Sequence, residues 1–155
     1  MKSVLTKLNN FIHFSPHDRS LLLQALVLLP LIHGALRLFG FKRAIATLNR
    51  VSTRESNALD GAQRQAWRTS QLVRSAARRG LVSGNCLSRS LTLWWLLRHQ
   101  GITSELRIGV RKEPGQFLAH AWVEFMGHPL NERGDVRQQY TAFEKQILPE
   151  AVRWA

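Results

Sequence analysis

Three patterns in the sequence predict an α+β fold, with helices first and a small antiparallel sheet afterwards. Apolar residues recur at helical spacing over much of the first 80 residues. Residues 86–99 are apolar on two helical faces, which is typical of a central, buried helix. Residues 106–110 and 118–125 then show the two-residue alternation of short strands, so we expect a sheet beside that helix.

The domain organisation follows from chain length and from the change in pattern near residue 80. The 155 residues suffice for a single domain, 1–155, and we find no repeat, low-complexity segment or linker that would divide it. We expect a mainly helical part over 1–80, the buried helix and sheet over 81–140, and a C-terminal tail or helix over 141–155.

The helical part has recognisable starts and stops. Ser15-Pro16-His17-Asp18 predicts a helix N-terminus, with serine as the cap and an acid near the positive end of the dipole. The apolar segment 21–38 follows, and Pro30 is expected to kink that helix or split it in two. Gly40 predicts its end, residues 41–49 a further short helix, and residues 63–79 the next one.

Charge and cysteine content bound the partners and the compartment. The net charge is +12, and the excess is arginine scattered along the chain rather than clustered with aromatic residues, so nucleic acid binding is not expected. A scattered basic face favours an acidic protein or peptide partner. The apolar run 25–32 is far shorter than the ~20 residues of a bilayer span, although peripheral membrane contact remains an alternative. One cysteine and no signal peptide predict a cytoplasmic protein.

Cys86 is the candidate nucleophile, because it begins the helix predicted over 86–99. Unpaired amides and the dipole at a helix N-terminus lower a thiol pKa and favour the reactive thiolate. Asn85 or Gly84 can cap this helix or help to bind an oxyanion. The alternative is structural, since a lone cysteine in an apolar helix is usually a small buried hydrophobe.

His120 is the candidate base, in the strand Ala119-His120-Ala121-Trp122-Val123-Glu124-Phe125. Alternation places it on one face with Trp122 and Glu124, and its small neighbours let another element approach. A lone strand histidine is more often a satisfied core group. The order of cysteine, histidine and then acid or amide nevertheless favours a papain-like cysteine hydrolase or acyl-transfer enzyme.

The third member depends on the hairpin that follows. A three-residue loop, Phe125-Met126-Gly127, would pair His120 with Glu132, whereas a two-residue loop would place Asn131 on the histidine face. We favour Glu132, because the shorter loop demands a positive φ at Met126. Leu130 onward is expected to form the third strand.

Cofactors and metals are not expected. The chain has no CxxC, no HExxH and no phosphate-binding glycine loop, and its remaining histidines show no ligand spacing.

The sequence also resembles a known family. The residues that carry the resemblance are the Asn85–Ser90 helix start, the Ile108–Arg111 strand, the AHAWVEF strand and Gly127 with Asn131-Glu132. They are similar to the lasso-peptide leader peptidases, in the transglutaminase-like branch of the papain-like cysteine proteases. The resemblance implies a transglutaminase-like core and a protease that removes the leader from a ribosomally made precursor. It implies Cys86 as nucleophile, His120 as base and acid, and Glu132 where the family usually has aspartate.

The resemblance also implies partners. Besides the precursor peptide, they are a small leader-binding protein, expected here as a separate polypeptide, and an ATP-dependent macrocyclase. The basic, helical N-terminal part is the candidate surface for docking them. The rival interpretations are a non-catalytic binding module on the same fold and a membrane-peripheral scaffold.

Overall fold

The computed structural model describes residues 15–51, 61–80, 85–132 and 136–142. Gly84 and the segment 143–155 lie outside the described residues, and so does the start of the chain. The elements in chain order are helices α1 (Pro16–Val51), α2 (Ala62–Arg79) and α3 (Cys86–His99), strands β1 (Glu105–Glu113), β2 (Gln116–Phe125) and β3 (His128–Pro129), the short helix α4 (Val136–Gln139) and strand β4 (Thr141–Ala142). Helices followed by an antiparallel sheet confirm the predicted α+β class.

Helix α1 begins and breaks at specific residues. The Ser15 hydroxyl accepts a hydrogen bond from the Asp18 amide at 3.1 Å, as expected of a serine cap. The break is at Gly40, which has φ 76° and ψ 172°, and glycine reaches that positive φ without a Cβ clash. The backbone stays helical through Pro30, so the prediction of a split there is wrong. Pro30 is exposed, where water can satisfy the carbonyl that its missing N–H leaves unpaired.

The three long helices share one hydrophobic core with the sheet. Helix α3 lies at its centre, and Leu91, Leu93, Leu96 and Leu97 are fully buried there. Outside the core, the Arg68 guanidinium bonds the Asp18 carboxylate at 3.0 Å and ties α2 to α1.

One side of α1 is apolar and uncovered by any described residue. Leu23, Val27, Leu31 and Leu38 are 53%, 59%, 62% and 77% exposed. By length and composition Pro16–Arg50 could cross a membrane, with mean hydropathy 1.8 and only 28% of its most apolar window buried, although the core helix of a soluble protein passes the same test. We call this surface, defined by Leu23, Val27, Leu31 and Leu38, the apolar face of α1.

The sheet has four antiparallel strands in the order β3-β2-β1-β4. Strands β1 and β2 form its centre, joined by the tight turn Pro114-Gly115, with Gly115 at φ 81°. Their register places Gly109 opposite His120. Helix α3 packs against one face of β2, which buries Val123 and Phe125 in the shared core.

The β2–β3 hairpin differs from the expectation. Phe125 pairs with His128, so the loop is the two-residue turn Met126-Gly127, and Met126 adopts φ 48°. The three-residue loop favoured from the sequence is therefore wrong. Met126 is 72% exposed at the turn, so no packing opposes its left-handed conformation, and Gly127 takes the second positive φ that this turn type requires.

The outer strands are short and also differ from the expectation. Strand β3 ends at Pro129, so no third strand runs from Leu130. The Leu130 amide still donates to the Val123 carbonyl at 2.9 Å, but the Leu130 carbonyl turns away to accept from the Ser70 hydroxyl at 2.6 Å. Strand β4, within the segment predicted as tail or helix, pairs instead with β1 at Gly109 and Val110.

Candidate active site

Cys86 is the first residue of α3, as its spacing predicted. Asn85 is the N-cap, and its side-chain oxygen accepts from the Ser88 amide at 2.9 Å. The cap satisfies one of the otherwise unpaired amides of the first turn and fixes where the helix begins. Cys86 is therefore held at the positive end of the helix dipole, partly exposed.

The surroundings of the Cys86 thiol favour its ionised form. A hydrogen bond with the His120 side chain lowers the pKa of Cys86 most strongly; burial opposes it, and the backbone amides of Ala121 and Leu87 add to the lowering. The net effect brings the pKa below the ordinary thiol value. A lowered pKa increases the thiolate fraction at neutral pH, and the thiolate is the nucleophilic form.

His120 lies between Cys86 and Glu132. Its Nε2 atom is 2.9 Å from Oε1 of Glu132, which leaves Nδ1 as the ring nitrogen for the thiol. The hydrogen bonds to Cys86 and then to Glu132 raise the pKa of His120 to about 9, against the opposing effect of burial. The side chains of His120 and Glu132 are 17% and 23% exposed, so the group is sheltered but open to solvent.

Glu132 reaches His120 by a route that the hairpin prediction did not foresee. In a continued β2–β3 ladder with the observed two-residue loop, Glu132 would face away from His120. The ladder instead ends at Leu130, where the Asn131 side chain takes over as acceptor for the Val123 amide at 2.8 Å. The chain thereby leaves the strand geometry, and the next residue turns towards the imidazole.

Asn131, the alternative third member, has a different position. Its side-chain amide donates to the Ser90 hydroxyl at 2.9 Å, and Ser90 in turn donates to the Ala121 carbonyl at 2.8 Å. No described contact joins Asn131 to His120. Ser90 lies one helical turn after Cys86, so this chain of bonds ties the helix of the thiol, the strand of the imidazole and the segment of the carboxylate together.

Two aromatic rings flank His120. The Tyr140 ring is stacked on the imidazole with centroids 5.0 Å apart, and the Trp122 ring lies at 6.2 Å with an interplanar angle of 19°. The Arg111 guanidinium lies over the Tyr140 ring, 5.1 Å from its centroid. The rings restrict the imidazole orientation, and the cation interacts with the face of the Tyr140 ring.

Trp122 is itself fixed by a buried carboxylate. Its indole N–H donates to Glu124 at 2.8 Å, and Arg137 bonds both carboxylate oxygens at 2.9 and 2.7 Å. Burial alone would raise the pKa of Glu124, but the hydrogen bonds from Arg137 and Trp122 keep it below its ordinary value. Arg137 lies on α4, so this ion pair also anchors the segment that carries Tyr140.

Gly109 makes room for this arrangement. A Cβ atom there would lie 2.9 Å from the Thr141 carbonyl oxygen and 2.9 Å from the Trp122 ring. Any side chain at this position would push β4 or the indole away from the sheet. The Trp122 ring lies beside His120, and β4 directly follows Tyr140, whose ring is stacked on His120.

The sequence patterns did not predict three contacts around the site. These are the bridging hydrogen bonds of Ser90, the stacking of Tyr140 on His120, and the ion pair of Glu124 with Arg137. The signal for Ser90 was its spacing of four residues from Cys86, which places both on one helical face. Tyr140 and Arg137 carry no comparable signal, because their contacts depend on a turn of the chain after β3.

Among the described residues, no group of three or more His, Cys, Asp or Glu side chains is placed to hold a metal ion.

The arrangement is suited to nucleophilic acyl transfer. A thiol at a helix N-terminus contacts an imidazole, and a carboxylate contacts the opposite ring nitrogen. Such a carboxylate holds the imidazole in one orientation and stabilises its protonated form.

In a comparison with protein families, residues 26–145 match the Transglutaminase-like superfamily. Comparison with curated proteins and with solved structures gave no match. The matched region includes Cys86, His120 and Glu132, and it covers well over half of the chain. Together with the helix and antiparallel sheet described above, this match shows that the chain belongs to the transglutaminase-like superfamily.

Proposed function

We propose that this protein is a cysteine peptidase that removes the leader peptide from a ribosomally synthesised lasso-peptide precursor. The observation that carries the proposal is the hydrogen-bonded series Cys86–His120–Glu132, with the thiol at the start of α3. The superfamily supports cysteine-based acyl chemistry. The choice of substrate is supported by the residues, quoted from the sequence, that resemble the leader peptidases.

The first half of the reaction forms a thioester. The Cys86 thiolate attacks the carbonyl carbon of the last leader residue, and the developing oxyanion lies near the start of α3, where the Cys86 amide and the Asn85 side-chain N–H are the candidate donors. Protonated His120 gives its proton to the departing amine of the core peptide as the C–N bond breaks. Glu132 stabilises the imidazolium before this transfer.

The second half releases the leader. Neutral His120 takes a proton from water, the hydroxide oxygen adds to the thioester carbon, and the C–S bond breaks. The leader leaves with a carboxylate, and the thiolate–imidazolium pair is restored. An amine in place of water would form a new amide instead, which is the transglutaminase type of outcome.

Mass spectrometry of a precursor peptide tests the proposal. The precursor would be incubated with this protein and the leader-binding protein, using wild type and Cys86→Ala, with Cys86 alkylation as a check that the wild-type thiol reacts. We expect leader release by wild type only, with a free carboxylate at the cut. Release by both proteins, or by neither when both are folded and the partner is present, would overturn the proposal. A parallel reaction with hydroxylamine would reveal amine acceptance as a hydroxamate on the leader.

We further propose that the helical N-terminal part docks the partners, namely the leader-binding protein and the macrocyclase. The apolar face of α1 is not covered by any described residue. A cleft of about 560 Å³ also lies between the parts of α1 before and after Gly40, and its lining is mostly apolar but includes Arg43 and Arg50. Not every arginine is suited to this role: Arg68 already pairs with Asp18. Leu31→Gln and Leu38→Gln should weaken co-purification with the leader-binding protein without affecting Cys86 alkylation; unchanged binding would argue against the surface.

A membrane-peripheral scaffold is the second candidate, and the apolar face of α1 is the observation that favours it. Flotation with anionic liposomes separates the two, because an interfacial helix binds vesicles without any protein partner. A non-catalytic binding module on the same fold predicts instead that Cys86 reacts no faster than an ordinary thiol.

A further inference from the structure

A small pocket is lined by two arginines and by residues close in sequence to the candidate active site. It has a volume of about 20 Å³ and lies where α2, α3 and the segment after β3 meet. Its lining consists of Ser70, Val73, Arg74, Arg89 and Asn131. A pocket of this volume admits one oxygen-sized group, so it can receive the tip of a side chain or chain terminus but not a larger ligand.

The lining of this pocket is cationic, and no described residue balances its charge. Neither Arg74 nor Arg89 forms an ion pair with another residue of the part of the chain that the structure describes. The Nε atom of Arg89 is buried and has no hydrogen-bond partner among the residues that the structure describes. A buried donor without a partner costs free energy, and two neighbouring guanidinium groups repel each other, so the pocket favours an anionic occupant.

The other polar groups of the pocket are nearly satisfied. The Asn131 amide nitrogen donates one hydrogen to Ser90 and keeps one more N–H. The Ser70 hydroxyl gives its hydrogen to the Leu130 carbonyl, which leaves only its lone pairs. The unused groups are therefore mostly donors, and a carboxylate oxygen is the group that accepts from donors of this kind.

Two residues of the pocket lining are close in sequence to residues of the candidate active site. Arg89 follows Cys86 by three residues on α3, a spacing that places the two side chains as neighbours, about 5–6 Å apart at Cβ. Asn131 directly precedes Glu132, the residue bonded to His120. A peptide whose carbonyl lies at the thiol would therefore have a neighbouring group within reach of Arg89.

We propose that Arg74, Arg89 and Asn131 form an anionic subsite that binds a carboxylate of the substrate, either an acidic side chain next to the cleaved bond or a free C-terminal carboxylate. The inference rests on the proposed function only in taking a peptide as the ligand. Arg89 donates to one carboxylate oxygen seated in the pocket, and Arg74 adds the second charge from α2. The subsite would thereby select substrates with an acid at one position.

The test compares two thiol reagents of similar size and opposite charge, 2-sulfonatoethyl methanethiosulfonate and 2-(trimethylammonio)ethyl methanethiosulfonate. Each adds its charged group to Cys86 through a disulfide and releases methanesulfinate, so the ratio of their rates reports the charge preference beside the thiol. The ratio would be measured for wild type, Arg89→Gln, Arg74→Gln and the control Arg79→Gln, which removes an exposed arginine at the end of α2. Circular dichroism melts would check folding.

We expect Arg89→Gln and Arg74→Gln each to lower the anion-to-cation rate ratio by roughly 3- to 10-fold, with little change in Arg79→Gln. An equal fall in all three variants would mean a general field of the basic protein and would overturn the subsite, and so would an unchanged ratio. If Arg89→Gln does not fold, Arg74→Gln decides alone. Fast reaction of Cys86 with neutral iodoacetamide is a separate result, and its absence would count against the proposed function rather than the subsite.

Protection experiments distinguish the two sources of the carboxylate. Short blocked peptides with glutamate or glutamine, and others ending in a free acid or an amide, would compete at millimolar concentration with iodoacetamide for Cys86. Protection by the glutamate peptide alone assigns the subsite to an acidic side chain, and protection by the free acid alone assigns it to a chain terminus. Equal protection by charged and neutral members of both pairs would overturn the proposal.

Discussion

The two halves of the molecule present different chemistry to solvent. From α3 to β4, side chains around Cys86 and His120 meet in specific polar bonds, and most of the buried polar atoms have partners. On α1, by contrast, five large apolar side chains are exposed: Leu23, Val27, Leu31, Leu38 and Phe39. The structure of the part from α3 to β4 therefore depends on the exact placement of individual atoms, whereas the exposed part of α1 depends only on helical shape. Substitutions should accordingly have sharp effects in one half and weak effects in the other.

His120→Ala should have the largest effect. It removes the hydrogen bond that lowers the pKa of Cys86 most strongly, so less thiolate is present at neutral pH. Leader cleavage should fall by roughly 10²- to 10⁴-fold, the usual range for a lost general acid–base group, and iodoacetamide alkylation at pH 7 should slow as well. The matched control is His128→Ala, an exposed histidine of the same sheet. Equal alkylation rates in the two variants would contradict the thiol–imidazole pairing.

Asn131→Ala should lower the free energy of unfolding by roughly 2–3 kcal/mol, because the Val123 amide loses its acceptor and the Ser90 hydroxyl loses a donor. Ser104→Ala is the control, since the buried Ser104 hydroxyl has no partner and its removal should be neutral or stabilising. Urea denaturation of both variants gives the comparison. A loss no greater for Asn131→Ala than for the control would mean that the bridge does not hold the site.

Two glycines test the contrast between the halves directly. Gly109→Ala should destabilise by roughly 1–3 kcal/mol, because its Cβ would meet the Thr141 carbonyl and the Trp122 ring. Gly34→Ala, in α1 with no atom within 4 Å of the new Cβ, should stabilise by roughly 0.5–1 kcal/mol through helix propensity. Thermal melts of the two variants should therefore move in opposite directions, and a shift in the same direction would refute the contrast.

Glu132→Gln should change the pH dependence and reduce activity, because a neutral amide stabilises the imidazolium less than a carboxylate does. Cys86 alkylation should rise as pH passes the lowered pKa of the thiol, and cleavage should fall as His120 loses its proton near pH 9. Glu132 is one cause of the raised His120 pKa, so its replacement should move the alkaline limb to lower pH. The folded-state pKa of His120 exceeds 6.5, so its stabilisation of the fold is complete below about pH 6.5 and is lost as pH rises through about 9. An alkaline limb that stays in place would exclude the orienting role of Glu132.

Val27→Gln should have the smallest effect. Val27 is 59% exposed and outside the core, so the free energy of unfolding should change by less than about 0.5 kcal/mol. Leu29→Gln, two residues further along the same helix, is the control, because Leu29 is 2% exposed and its replacement should destabilise severely. Similar chemical denaturation midpoints for the two variants would show that the apolar face is covered in solution.

Local sequence patterns predicted much of the fold and the positions of two site residues. The cap at Asn85 and the helix from Cys86 to His99 follow from a polar residue before an apolar helical pattern. The strand of His120 follows from alternation. Glu132 was placed beside His120 by a hairpin register that the structure contradicts, and it reaches the imidazole only because Asn131 and Ser70 end the ladder. Contacts in which a side chain takes the place of a backbone partner leave no periodic pattern in the sequence. The roles of Ser90, Tyr140 and Arg137 were missed for the same reason.

Gly109 has a consequence for how this sequence can change over time. A methyl group there would meet a backbone carbonyl of β4, which every residue type possesses, so no replacement at Thr141 removes that atom. Shrinking Trp122 would clear the second collision but would remove a ring beside His120. No replacement at Thr141 can therefore compensate for a side chain at Gly109, and a replacement at Trp122 would compensate only by disturbing the candidate site. Substitution at Gly109 should be purged more strongly than at Ile108 or Val110, and variation among descendants of this chain should be lowest at the one strand position that has no side chain.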